Sequence, residues 1–406
     1  MMTYPVVRTR QHVLLLGLIG LVVSVLPAWS QDRFGRQSPS TSVPIQTSQL
    51  VTQLVEQLGD ARFDTRERAT RRLIEIGSVA LPALKQASLS KDRETRARAA
   101  RALRIVFRRD LQQRRAAFLR ESDSDRDFGL AGWRKFRVLV GDTPINRALF
   151  IEMHRSESEL VQAVQQGPAA TRSALVQRYQ QLARWKQGQR FQPDQSKLSL
   201  GTVVALLFAV TDNQVQLRDL EQELPNYLFQ QASGMGKYRD AVRRLLGHWV
   251  QGLKIESVYP ALYLSLFYMV PEGLVPAEKV LEGTKVTDTP RAGAVEGPHR
   301  YRLMFAIFVT ARFGTRAHLD LLEPLLEDAS RTPYGKVEIR DLALAALLHL
   351  SGKNLVEFGF LRHRPNPTFV FEPNRLLFES PEARAQAIQR WRDQRSRKSS
   401  PVDPDE

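Results

Sequence analysis

Three stretches of the chain carry residue types whose spacing could do chemistry. Ser88-Leu89-Ser90-Lys91 places a hydroxyl three residues before an amine, the spacing of a serine nucleophile activated by lysine. Neither a Ser-Asp-Asn nor a Lys-Thr-Gly stretch follows it. Gly234-Met235-Gly236-Lys237 could hold a phosphate on a helix N-terminus. It lacks a preceding strand and the spacing of a phosphate loop, and reads as a flexible turn. His154 and Glu157 form a His-x-x-Glu on a helix, half of a di-metal set. No second pair completes it, so a surface ion pair is the expectation. The seven histidines are otherwise scattered, and the absence of Cys removes thiolate and disulfide chemistry. No catalytic residue, cofactor or metal is assigned.

Charge is the remaining candidate. The formal net charge is +16, carried by 47 Arg against 12 Lys, and residues 62–120 hold 17 basic and 6 acidic side chains. A block of this kind attracts polyanions, and a solvated helical face is the ordinary alternative. The candidate binding surface is Arg66, Arg71, Arg96, Arg101, Arg104, Arg108 and Arg115. Spacings of three, four and seven put Arg101, Arg104, Arg108 and Arg115 along one edge of a helix, where they could track an anionic chain. Alternatively, their stems cover a seam of Leu103, Phe107, Leu111 and Phe118 while their heads remain in water.

The elements that carry these arginines repeat. Thr65-Arg66-Glu67-Arg68-Ala69-Thr70-Arg71-Arg72-Leu73, moved forward thirty positions, falls on Thr95-Arg96-Ala97-Arg98-Ala99-Ala100-Arg101-Ala102-Leu103. Leu54 falls on Leu84 and Val51 on Leu81. A helix pair used twice at such a period is the signature of a solenoid, in which each pair buries its apolar face against its neighbours. The first helix is expected over 48–58, stopped by Gly59. Asp64 and Glu67 form a capping box for the second, Gly77 ends it, Pro82 opens the third and Asp92 caps the fourth, which runs to about 119.

Farther on, 128–139 reads as a helix with Trp133 and Phe136 inward, and Asp142-Thr143-Pro144 and Pro168 as helix starts. The apolar runs 198–210 and 258–270 are too short to span a bilayer and read as central helices buried on all sides. Residues 284–298 read as a linker. Ile339 to Leu347 then returns the pattern, with Arg340, Ala343 and Leu347 in the places of Arg66, Ala69 and Leu73, behind a helix at 319–327. A short extended piece at 368–371, a last helix at 382–391 and a disordered tail from 392 complete the chain.

An Arg followed by Ala three on and Leu seven on, behind a short helix with Pro in its first turn, resembles the HEAT and HEAT-like (armadillo-type) repeat family, of exported bacterial type. The match covers 48–106 and 319–350, about a quarter of the chain. The resemblance implies an all-α protein, an α-solenoid of HEAT-like helix pairs at 48–120, with a helical middle at 121–283 that is either degenerate repeats or a separate bundle, and C-terminal HEAT-like helices at 299–361. It also implies a protein-binding scaffold, although fold alone does not determine function.

The first 30 residues read as a secretory signal peptide: Arg8 and Arg10, then an apolar core at 13–25, then Ala28-Trp29-Ser30 before Gln31. An uncleaved membrane anchor is the alternative. Residues 31–47 read as a flexible spacer. The expected function is that of an exported, periplasmic or secreted, non-catalytic scaffold whose partner is another protein. The alternative partner is an anionic polymer or membrane surface bound by the basic helix around Arg96 to Arg115. Export argues against nucleic acid and against a DNA glycosylase built on the same repeat.

Overall fold

The computed structural model describes residues 45–121, 126–189, 198–215, 217–253, 258–284, 298–333 and 335–399. The described chain is predominantly helical, with one two-stranded hairpin, and it divides into two compact units, one ending at Leu103 and the other starting at Arg104.

The first unit holds α1 (Ile45–Glu56), α2 (Phe63–Ile76), α3 (Leu81–Ala87) and the start of α4 (Arg93–Arg120). Val51, Leu54, Leu58, Ala69, Leu73, Leu84, Ala99 and Ala102 are among its buried side chains. Small Ala at 69 and 99 lets helices approach closely, while Leu73 fills the layer below. Gly77 adopts φ 76° and ends α2, Pro82 sits in the first turn of α3, and Asp92 Oδ1 accepts the Thr95 amide at 2.7 Å to cap α4. Gly59 ends a single 3-10 turn after α1; a Cβ there would lie 2.6 Å from Thr95 Oγ1. The capping box expected from Asp64 and Glu67 is absent. The N-cap of α2 is Arg62, which makes no side-chain capping bond, and Asp60 Oδ1 instead accepts the Arg62 amide at 2.7 Å.

Among the described residues, the second unit carries the end of α4 and thirteen further α-helices. α5 (Trp133–Val140), α6 (Pro144–Ser156), α7 (Ser158–Gln166), α8 (Pro168–Gln189), α9 (Leu200–Ala209), α10 (Arg218–Gln231) and α11 (Arg239–Gln251) surround one apolar cluster. α12 (Val258–Tyr268), α13 (Leu274–Thr284), α14 (Pro298–Phe313), α15 (Leu319–Leu322), α16 (Ile339–Leu350) and α17 (Pro381–Ser399) build a second. α12 serves both, giving Ala261, Leu264 and Tyr268 to the first and Val258, Leu262 and Leu266 to the second. Every residue of α9 after Leu200 is buried, as its unbroken apolar run predicts. α12 is not buried on all sides: Tyr259, Tyr263 and Phe267 are half-buried in an aromatic row with Tyr301, Phe305 and Phe229.

Thr143 caps α6 through the Asn146 amide, and Pro168 opens α8. The helix expected over 128–139 begins only at Trp133, because Phe128, Gly129 and Gly132 take positive φ and turn the chain before it. The linker expected at 284–298 falls between α13 and α14; 285–297 lie outside the described residues, as do the signal peptide, most of the spacer and the end of the tail. The extended piece pairs as β1 (Pro365–Asn366) with β2 (Val370–Phe371). α17 runs two turns past the expected helix. Buried Trp391 donates to Glu323 Oε1 at 3.2 Å, and Arg395 reaches Asp320 at 2.6 Å. Arg384 holds the fully buried Asp341 of α16 at 2.6 Å.

Candidate functional site

The seven arginines proposed as a surface divide by what their guanidiniums touch. In the first unit, Arg66 Nη1 donates to the carbonyls of Asp60 and Ala61 at 2.7 and 2.9 Å. Arg96 Nη1 donates to those of Ser90 and Lys91 at 2.8 and 3.4 Å. Both sets lie six and five residues before the donor. These two arginines pin the turns that lead into their own helices. Arg66 Nε also stands 3.2 Å from Glu94, and Arg98 bridges from Glu94 on its own helix to Glu67 of α2 at 2.6 Å. The Arg98 hydrogen bond holds the Glu67 carboxyl below the usual carboxylate range, and the charges of Arg101 and Arg71 add to that pull. Arg71 and Arg101 are themselves exposed, and among the described residues neither has a hydrogen bond or ion pair.

Arg71 lies on a groove of about 450 Å³ along α1 and α2. Leu54 and Ala69 form its apolar floor, Gln57 and Thr65 supply polar groups, and Arg68, Arg71, Arg72 and Glu75 stand around it. Arg72 pairs with Glu75 at 3.0 Å, and Arg68 Nε donates to the Asp64 carbonyl at 3.3 Å. The groove therefore offers three cations against one carboxylate over an apolar floor, a setting for carboxylate or phosphate recognition. Arg68 and Arg72 were not among the arginines singled out by sequence; the thirty-residue offset that relates Arg68 to Arg98 was the available signal.

In the second unit, Arg104 and Arg108 are exposed and, among the described residues, have no hydrogen bond or ion pair. Arg115 turns inward, its Nη2 lying 2.9 Å from His154 Nδ1 and donating to the His154 carbonyl at 2.8 Å. Burial lowers the Arg115 pKa, and burial followed by the Arg115 charge pushes His154 down to about 4. The expected seam is also revised, since Phe107 is 52% exposed while Val106 and Phe118 are buried.

His154 and Glu157 do not form the surface ion pair expected of them. Both are buried; His154 bonds Arg115, and Glu157 takes a forked bond from Arg178 at 2.6 to 2.9 Å. Beside them, fully buried Arg147 holds Asp142 through two bonds of 2.6 and 2.7 Å and donates to the Phe118 and Glu121 carbonyls at the end of α4. Its guanidinium also lies 4.7 Å from the Phe118 ring centroid.

Ser88 and Ser90 lie in the turn between α3 and α4, where Ser88 donates to the Lys85 carbonyl and Ser90 accepts the Asp92 amide. Gly236 takes φ 38° at a 3-10 turn before α11, with Lys237 over the Tyr238 ring. Among the described residues, no group of three His, Asp or Glu is placed to hold a metal, and no helix is long and apolar enough to cross a membrane. No family model, curated protein or solved structure matches the chain.

Proposed function

We propose that the chain is an exported, non-catalytic scaffold, an α-solenoid of HEAT-like helix pairs that binds a protein partner along its helical surface. The observation that carries this reading is the equivalence of α2 and the start of α4. Arg66 and Arg96 make the same two turn bonds, and Ala69 and Ala99 are both fully buried. A repeated unit that spends one arginine on its own turn leaves Arg71 and Arg101 facing water at matching positions. Matching exposed positions on successive units are what repeat proteins use as an extended recognition surface.

A second reading, binding of an anionic polymer or membrane surface, draws support from Arg71, Arg101, Arg104 and Arg108, all exposed with no internal partner among the described residues. Counterion release makes such binding collapse with salt. The test is capture from an envelope extract by residues 31–406, at about 0.15 M salt and again at about 1 M, where the screening length falls to roughly 3 Å. A discrete protein retained under both conditions supports the scaffold. Loss of all ligands at high salt, with acidic polymer released, replaces it by the second reading.

A further inference from the structure

We infer that the groove along α1 and α2 takes an acidic helix of a partner protein, with a partner glutamate docking on Arg68 as Glu67 docks on Arg98. The inference rests on the scaffold reading and names the partner's chemistry.

Within the first unit, the contact to be copied is already made once. Arg98 lies on the later helix, with Glu94 four residues before it, and reaches back to Glu67 on the earlier helix at 2.6 Å. Thirty residues earlier stands Arg68, with an acid, Asp64, again four residues before it. Among the described residues, no carboxylate from another helix meets Arg68; its one bond is to the Asp64 carbonyl. Among the described residues nothing takes for Arg68 the position that Glu67 takes for Arg98, and the groove beside Arg68 is lined by Leu54 and Ala69.

The charge selects the occupant. Arg68, Arg71 and Arg72 face one carboxylate, Glu75, which Arg72 already engages. Guanidinium forks match carboxylates in two-pronged geometry, so glutamates at helical spacing satisfy several arginines along one face. The chain's own segment at 31–44 does not fit this requirement, since it carries Asp32 against Arg33 and Arg36. An acidic face on another protein does.

The experiment titrates the full chain into a fluorescent alanine-based helical peptide with glutamates spaced three and four apart, and into the same peptide with glutamine, read by anisotropy. The expected result is binding of the glutamate peptide, with the glutamine peptide and the Arg68→Glu/Arg71→Glu/Arg72→Glu variant each weaker by about tenfold or more. Arg104→Glu/Arg108→Glu should bind as the wild type does. Because triple reversal on one helix can unfold it, Arg68→Gln/Arg71→Gln is measured alongside, with circular dichroism melts of each.

Equal binding of both peptides, equal binding by the groove variants, or an equal loss on reversing Arg104 and Arg108 overturns the inference. A wild-type dimer in sedimentation that the groove variants convert to monomer also overturns it, in favour of a second copy of this chain. A protein retained at high salt by wild type and groove variant alike removes the groove and leaves the scaffold standing. A chain that captures no protein but still binds the glutamate peptide through the groove removes the scaffold reading and supports the groove's chemistry.

Discussion

Arg66 and Arg96 stand thirty residues apart and donate through the same nitrogen to the carbonyls six and five residues before each of them. The turns they pin match in a second respect. Asp60 Oδ1 accepts the Arg62 amide, and thirty residues on Ser90 Oγ accepts the Asp92 amide. Arg66 and Arg96 thus stabilise the entry of their own helices, while Arg71 and Arg101, five residues later, are exposed and have no hydrogen bond or ion pair among the described residues.

Replacing Arg66 by Met should destabilise the first unit. Hydrogen bonds from a charged donor are each worth about 1.5–3 kcal/mol when shielded from water. The Arg66 side chain is 20% exposed, its bond to Asp60 is half-buried and its bond to Ala61 is exposed, so the first contributes most of the loss. Arg96→Met should cost less, because Arg96 is exposed and water replaces its bonds. Arg71→Met, which breaks no internal bond, should stay within about 0.5 kcal/mol of the wild type. Urea midpoints of the three variants decide the order.

Arg147→Met should be among the most damaging single changes in the second unit. It removes the donor of the buried bond to the Phe118 carbonyl and of the part-buried bonds to Asp142 and the Glu121 carbonyl, and leaves the space of a fully buried guanidinium to a thioether. Hydrogen bonds to a charged group are each worth about 1.5–3 kcal/mol where they are shielded, and the exposed Asp142 recovers part of its loss from water. Asp142→Asn should also destabilise, by leaving the buried guanidinium under-compensated. An Arg147→Met variant with an unchanged denaturation midpoint would refute this account.

Stability should depend on pH through His154. Its folded pKa, about 4, lies below the ordinary 6.5, so between those values the unfolded chain binds a proton that the folded chain refuses. The contribution is complete above about pH 6.5 and is lost as the pH falls toward about 4. The chemical reason is first the burial of the ring and then the Arg115 charge, whose 2.9 Å contact with Nδ1 a protonated ring turns into donor against donor. His154→Asn keeps an acceptor for Arg115 but cannot titrate. The difference in urea midpoint between variant and wild type should therefore grow in the variant's favour as pH drops through that window.

Gly201→Ala should destabilise the contact of α6 with α9. A Cβ at that position would lie 2.4 Å from the Glu152 carbonyl oxygen and 2.6 Å from Ser156 Oγ, and the first of these is backbone that cannot swing away. Overpacking of this kind costs about 1–3 kcal/mol. Gly283→Ala, on α13 with nothing within 4 Å, is the matched control and should be neutral or stabilising, since Ala is the better helix former. Thermal melts of the two variants separate crowding from propensity.

The sequence alone determined the local decisions. The helical character, the thirty-residue offset, the stops at Gly59 and Gly77, the caps at Asp92 and Thr143, and the burial of α9 all follow from spacings within a few turns, where side-chain chemistry acts directly on its own backbone. Tertiary structure decided which side of a helix is covered. Periodicity places Phe107, Arg104, Arg108 and Arg115 on faces of α4, but only the packing leaves Phe107 exposed and draws Arg115 to His154, 39 residues away. The length of α17 was hidden for the same reason. Its charges from 392 on read locally as a disordered tail, yet Arg392 meets Glu327 across 65 residues and Arg395 meets Asp320 across 75. Such pairs exist only once the chain has closed the intervening loops, and a contact made at that distance leaves no mark on the spacing of neighbouring residues.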